Sequence, residues 1–203
     1  MEKDSLSYRS SFEYILEEFH KESDRAAVIL VSAMIEEKLT VLIKSFLIAN
    51  PAADDDLFER ANAPISTFSS KIDMAFRLGL ISSKYSRDLH LIRKIRNSFA
   101  HNIHSCNFEN GNIKDRIKEL SNRCSIMKFY EYLLEDKHPN VKSGTGGIFL
   151  FVTSIMIFQL DVFITKLKPL EISYYIEDEI MYGNGQAIID SYKERNTKKN
   201  EVN

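Results

Sequence analysis

Residues 22–50 read ESDRAAVILVSAMIEEKLTVLIKSFLIAN, and this stretch decides the fold class. It holds no Pro or Gly, and the first break is Pro51. Val28, Val31, Ile35, Leu39, Leu42, Ile43 and Phe46 recur at steps of three and four, which places apolar side chains on one face of an α-helix. Ser23 and Asp24 both suit its start, because a short side-chain oxygen can accept from a first-turn N–H that has no helical partner. The reading is a long core-facing helix. Glu36 and Glu37 in its middle read as solvated or paired carboxylates, not as catalytic groups.

The same reading extends outward. Residues 1–22 are highly charged, and Phe12, Ile15, Leu16 and Phe19 predict a short amphipathic helix that docks on the main domain. After Pro51, the triplet Asp54, Asp55, Asp56 suits a solvated helix start. ISTFSSKIDMAFRLGLIS, residues 65–82, places Ile65, Phe68, Ile72, Ala75 and Phe76 on one stripe that ends at a capping Gly79. Ser82 or Ser83 opens the next helix, with a stripe of Tyr85, Leu89, Ile92, Ile95, Phe99 and Ile103. SCNFENGN (105–112) reads as a loop, and residues 113–136 as one helix stopped before His138-Pro139. KSGTGG (142–147) reads as a flexible link; it follows no strand, so it is no phosphate loop.

GIFLFVTSIMIFQLDVFITKL, residues 147–167, is the most apolar stretch. A membrane span needs about 20 apolar residues. Here Gln159, Asp161 and Lys166 interrupt, and a charge in a spanning helix costs roughly 2.5–3.5 kcal/mol on insertion scales. The expectation is a buried central helix and no membrane. The fold class is therefore all-α: a helical bundle of five to six helices over residues 23–168, an N-terminal arm over 1–22, and an acidic, then polar, tail over 169–203.

Composition agrees. The chain has 203 residues, 44% hydrophobic and 28% charged, enough apolar mass to exclude a wholly disordered chain. With 27 Lys+Arg against 29 Asp+Glu the net charge is −2, so there is no global pull toward DNA or anionic membrane. Seven Gly and four Pro favour long helices over many turns. Two cysteines and a polar start (MEKDSLSYRS) point to a reducing cytoplasm.

Chemistry concentrates at Arg96-Asn97-Ser98-Phe99-Ala100-His101. Positions i and i+5 lie about 140° apart on a regular helix, so Arg96 and His101 converge only if the helix distorts or ends there. Asn97 and His101 share a face. Spacing alone reads His90, Arg93, Lys94, Asn97, His101 and His104 as a solvated polar stripe. Arg87, Arg93, Lys94, Arg96 and His104 are the candidate nucleic-acid contacts, although no helix-turn-helix precedes them. His101, His104, Cys106 and Cys124 lack the tight paired spacing of structural zinc. No metal and no cofactor are expected.

Arg-Asn-x-x-x-His near the end of a helix in an all-helical domain resembles the HEPN superfamily motif. That resemblance implies a metal-independent endoribonuclease acting as a homodimer. His101 would be the general base toward an RNA 2′-OH, Arg96 would stabilise charge on the phosphate, and Asn97 would orient one of them. A second resemblance spans more of the chain. ESDRAAVILVSAMIEEKLTVLIKSFL, PISTFSSKIDMAFRLGLIS, LHLIRKIRNSFAH and FLFVTSIMIFQLDVF, in this order, resemble the bacterial mannitol repressor family. It implies a HEPN-like helical regulator of sugar-operon transcription, working through a regulatory protein partner or weak RNA or DNA contacts. The broad match puts the non-enzymatic regulator first and the ribonuclease second.

Overall fold

The computed structural model describes residues 12–19, 21–50, 54–60, 62–102, 106–122 and 124–171, with 185–187, 189, 190 and 193. Residues up to Leu170 form one unit and Glu171–Asn203 a second. In the second unit, residues 185–187 and 189–190 are helical, and Gln186 Nε2 donates to Asp190 Oδ1 at 2.9 Å. Among the described residues there is no strand, as the all-α reading requires.

The first unit is built from α1 (residues 12–19), α2 (Asp24–Phe46), α3 (Phe68–Arg77), α4 (Ser83–His101), α5 (Gly111–Ser121), α6 (Cys124–Glu135) and α7 (Gly144–Lys166). Val28, Val31, Ile35, Leu39, Leu42 and Ile43 of the α2 stripe are buried and Phe46 is partly so, and Ser23 Oγ accepts from the Ala26 N–H at 3.2 Å. Glu36 is paired with Lys71 of α3 at 3.0 Å, while Glu37 is exposed. Helix α3 ends in a Schellman turn. Gly79, at φ +73°, donates to Phe76 O, and Leu80 N–H reaches Ala75 O. Phe76, placed on the apolar stripe by its spacing, is instead 42% exposed.

Helices α2 and α7 run side by side in the same direction. Lys38 Nζ meets Asp161 at 2.6 Å, and about two turns further along α2 the Leu170 N–H, just past the end of α7, reaches Phe46 O at 2.7 Å. α7 meets the length and composition of a membrane span. Its apolar surface is nevertheless used inside the bundle: Phe149 to Ser154, Met156, Ile157 and Leu160 are all buried. Each of the apolar ones contributes roughly 1.5–3 kcal/mol by leaving water. Tyr85 of α4 donates its hydroxyl to Met156 O. Helix α1 buries Ile15, Leu16 and Phe19 in the same core, and the Phe12 ring stands edge-on to Phe151 at 6.0 Å.

Three local expectations are corrected. Asp54–Asp56 start no helix; the described residues there turn, with Asp55 Oδ1 accepting from the Leu57 N–H. The helix expected over 113–136 is two helices. Buried positions of α5 are Ile113, Ile117 and Leu120, whereas those of α6 are Tyr130 and Leu133. A continuous helix would carry the first stripe on to 124, 127 and 131, so the apolar face changes phase between the two. Ser121 and Asn122, weak helix formers, sit at the change. KSGTGG is not a link: its glycines form the first turn of α7, and Gly147 is bare because the Lys142 backbone crosses it.

Candidate functional site

Ser82 caps α4 by accepting from the Tyr85 N–H, and Leu89, Ile92, Ile95 and Phe99 anchor the helix in the core. That anchoring fixes where its polar side chains stand. The helix ends at His101, with Asn102 as its cap. The motif thus lies at a helix terminus, the condition its geometry demanded.

The structure brings together one pair of the motif. Arg96 Nη1 donates to Asn97 Oδ1 at 3.2 Å. His101 is exposed and has no hydrogen bond among the described residues, so no described side chain fixes its ring against the other two. The candidate nucleic-acid contacts divide. Arg87 is exposed and faces Glu119 of α5 at 3.6 Å, and Lys94 is exposed. Arg93 is half-buried, with its Nε buried and without a hydrogen-bond partner. His104 lies outside the described residues. His90, on the same stripe, is held by Asp73 of α3 at 3.2 Å. The row is therefore partly tied down on both flanks and does not form one free basic surface.

Two arginines invisible to motif reading organise the end of α4. Arg25, in the first turn of α2, donates Nη1 to Phe99 O and Nη2 to Asn102 O, the second at 2.7 Å. The last carbonyls of a helix lack helical partners and carry partial negative charge, so a guanidinium there satisfies both needs. Arg116 of α5 donates to Ser98 Oγ at 3.0 Å. Asp24, beside Arg25, accepts from the Phe108 N–H at 3.3 Å. The start of α2 thus clamps the α4–α5 connection from 74 residues away in the chain. No local pattern announces such pairing.

A cavity of about 210 Å³ opens beside this clamp, lined by Ser98, Asn102, Cys106, Asn110 and Arg116 among others. Burial pushes the Cys106 thiol up from its ordinary range, and the Arg25 charge opposes that rise. A larger cavity, about 680 Å³, lies at the far end of α2. There Lys44 is held by Glu59 at 2.6 Å, and that bond keeps the Glu59 carboxyl below the usual range. Neither cavity is lined by Arg96, Asn97 or His101.

No protein-family model matches the chain, and no curated protein matches it. Among solved structures, the X-ray structure of the MtlR-HPr complex from Escherichia coli matches with a TM-score of 0.53. Sequence identity is 14%, and the match covers 74% of this chain and 98% of that one. The likeness gives this chain an MtlR-like all-α fold.

Proposed function

We propose that this protein is a non-enzymatic transcriptional regulator of the mannitol repressor kind, acting by binding a soluble protein partner. The carrying observation is the fold likeness over 98% of a chain solved as part of a complex with HPr. The α4 geometry agrees: His101 has no orienting partner among the described residues, and neither cavity collects the motif. Residues 23–168 are the regulatory domain in this reading, and residues 1–22 and 169–203 flank it. The test is calorimetric titration of the purified chain with the HPr of its own cell. Saturable binding is expected. No heat and no co-migration on gel filtration at high micromolar concentrations of both would overturn the reading.

One observation favours a second reading, the HEPN-type ribonuclease. The Arg96–Asn97 hydrogen bond is the orienting contact such a site needs. It requires a homodimer, so that two copies of Arg96 and His101 meet at one cleft. RNA incubated with the protein in EDTA separates the two readings. Cleavage leaving 2′,3′-cyclic phosphate ends, lost in His101→Ala, establishes the enzyme. A metal-free protein that leaves structured and single-stranded RNAs intact is the regulator's result.

A further inference from the structure

We propose that the outer face of α6, together with the flank of α1, is the docking surface for the protein partner, and that the partner presents an apolar patch ringed by Lys and Arg. This rests on the regulator reading and adds to it a place and a chemistry.

Helix α6 is fixed from below. Tyr130 and Leu133 are buried, and the Tyr130 hydroxyl donates to Lys142 O at 2.6 Å. That anchoring turns Phe129 and Tyr132, one helical turn apart, toward solvent at 44% and 59% exposure. The Phe129 ring is held by Phe12 of α1 at 6.5 Å and Phe151 of α7 at 5.8 Å. A half-exposed aromatic pair, the Phe129 ring of it rigidly backed, is the residue type and setting of an interface hot spot. Aromatic side chains bury roughly 150–250 Å² each, so the pair offers about 200 Å². That is a quarter of the roughly 800 Å² that one side of a standard interface buries.

The rim says what kind of partner fits. The exposed positions of α1 are Glu13, Tyr14, Glu17 and Glu18. α6 adds Glu131 and Glu135, against one cation, Lys128. None of these five carboxylates forms an ion pair among the described residues. An acidic rim repels nucleic acid and anionic membrane. It also disfavours a second copy of this chain, because a two-fold contact through the face would set the same carboxylates against each other. A cationic rim around an apolar centre is the complement.

The experiment measures binding of the host's HPr to four proteins: wild type, Tyr132→Ala, Glu131→Lys/Glu135→Lys, and Leu30→Ala as a control on the exposed side of α2. Circular dichroism checks that each is folded; Tyr132 and both glutamates are exposed, so the fold survives their replacement. Tyr132→Ala is expected to weaken binding at least about tenfold. The double charge reversal is expected to slow association about tenfold and to remove its salt dependence. Leu30→Ala should bind as wild type does. Unchanged binding in both α6 variants overturns this inference and leaves the regulator reading standing. Failure of the wild type to bind overturns both. Self-association of the wild type that disappears in Tyr132→Ala makes the occupant a second copy and also overturns the inference.

Discussion

Gly147→Ala tests the packing at the start of α7. A Cβ added there would overlap the Lys142 carbonyl oxygen and stand 2.9 Å from Tyr130 Oη. The obstruction is backbone, so no side-chain rotation relieves it. Two losses follow. The helix start must shift, and overpacking of this kind costs about 1–3 kcal/mol. The Tyr130 hydroxyl bond to Lys142 O, 2.6 Å long and half inside the protein, is broken or bent, and an unmet buried group costs about 1–3 kcal/mol. Reduced freedom of the unfolded chain returns about 0.4–1 kcal/mol. The expected net loss is about 1–5 kcal/mol, or roughly 2–20 °C in Tm at about 2–4 °C per kcal/mol for a domain of this size. Urea denaturation followed by circular dichroism measures it, with Gly111→Ala as the matched control. Nothing lies within 4 Å of a Cβ at Gly111, so that variant should gain about 0.4–1 kcal/mol from the unfolded-chain effect alone. If Gly147→Ala and Gly111→Ala unfold at the same urea concentration, the close crossing of residue 142 over α7 is wrong.

Three further outcomes are expected. Lys137 closes α6 at φ +53°, with its N–H on Leu134 O and the next N–H on Leu133 O. Lys137→Gly should therefore stabilise the protein by about 1 kcal/mol in the same assay, and a loss of stability would refute the left-handed cap. Arg25→Ala removes both guanidinium bonds to the end of α4; hydrogen exchange should quicken in residues 98–102 and 106–108, with a loss of about 1–2 kcal/mol, discounted from ~1.5–3 per charged bond because the site is partly exposed. Fast exchange confined to other segments would count against the clamp. In a Cys124→Ser background, the pH midpoint for alkylation of Cys106 should lie above that of a free cysteine peptide, because burial disfavours the thiolate and so raises the pKa. A midpoint below the peptide's would mean that the Arg25 charge outweighs burial.

The fold was legible wherever one periodicity ran unbroken. The α2 and α4 stripes placed most of the large buried side chains of these helices, because each spends one face on the core; Ala27, Ser32, Ser86, Asp88 and Leu91 are buried outside the stripes. The break between α5 and α6 carries a weaker signal: no Pro or Gly marks it, Ser121 and Asn122 are its local sign, and the apolar stripe resumes beyond it in another phase. Phe76 was assigned to the core on pattern and stands outside it, since a helix as short as α3 has room for one inward row and the Schellman turn follows at once. The Arg-Asn-x-x-x-His segment was visible, and so was its place at a helix end. What surrounds it was not. Arg25 and Arg116 reach α4 from other helices, and contacts between segments 18 to 74 residues apart leave no local signature. The aromatic pair on α6 was hidden in the same way, since Phe129 and Tyr132 read as core-type residues until Tyr130 and Leu133 are seen to take the inward face.

The parallel pairing of α2 with α7 bears on how the protein is made. On the ribosome α2 emerges early, while its main neighbour begins at Gly144. At about 5–20 residues per second, the interval between Phe46 and Gly144 lasts roughly 5–20 s. During that interval the Val31–Ile35–Leu39–Leu42 face lacks α7, and of the three helices packed most against α2 only α3 and α4 have been made. A nascent chain halted before α7 is thus a substrate for chaperones or proteases rather than a smaller working version of the protein. Messenger truncation anywhere upstream of residue 144 should yield no soluble product, however complete the earlier helices are.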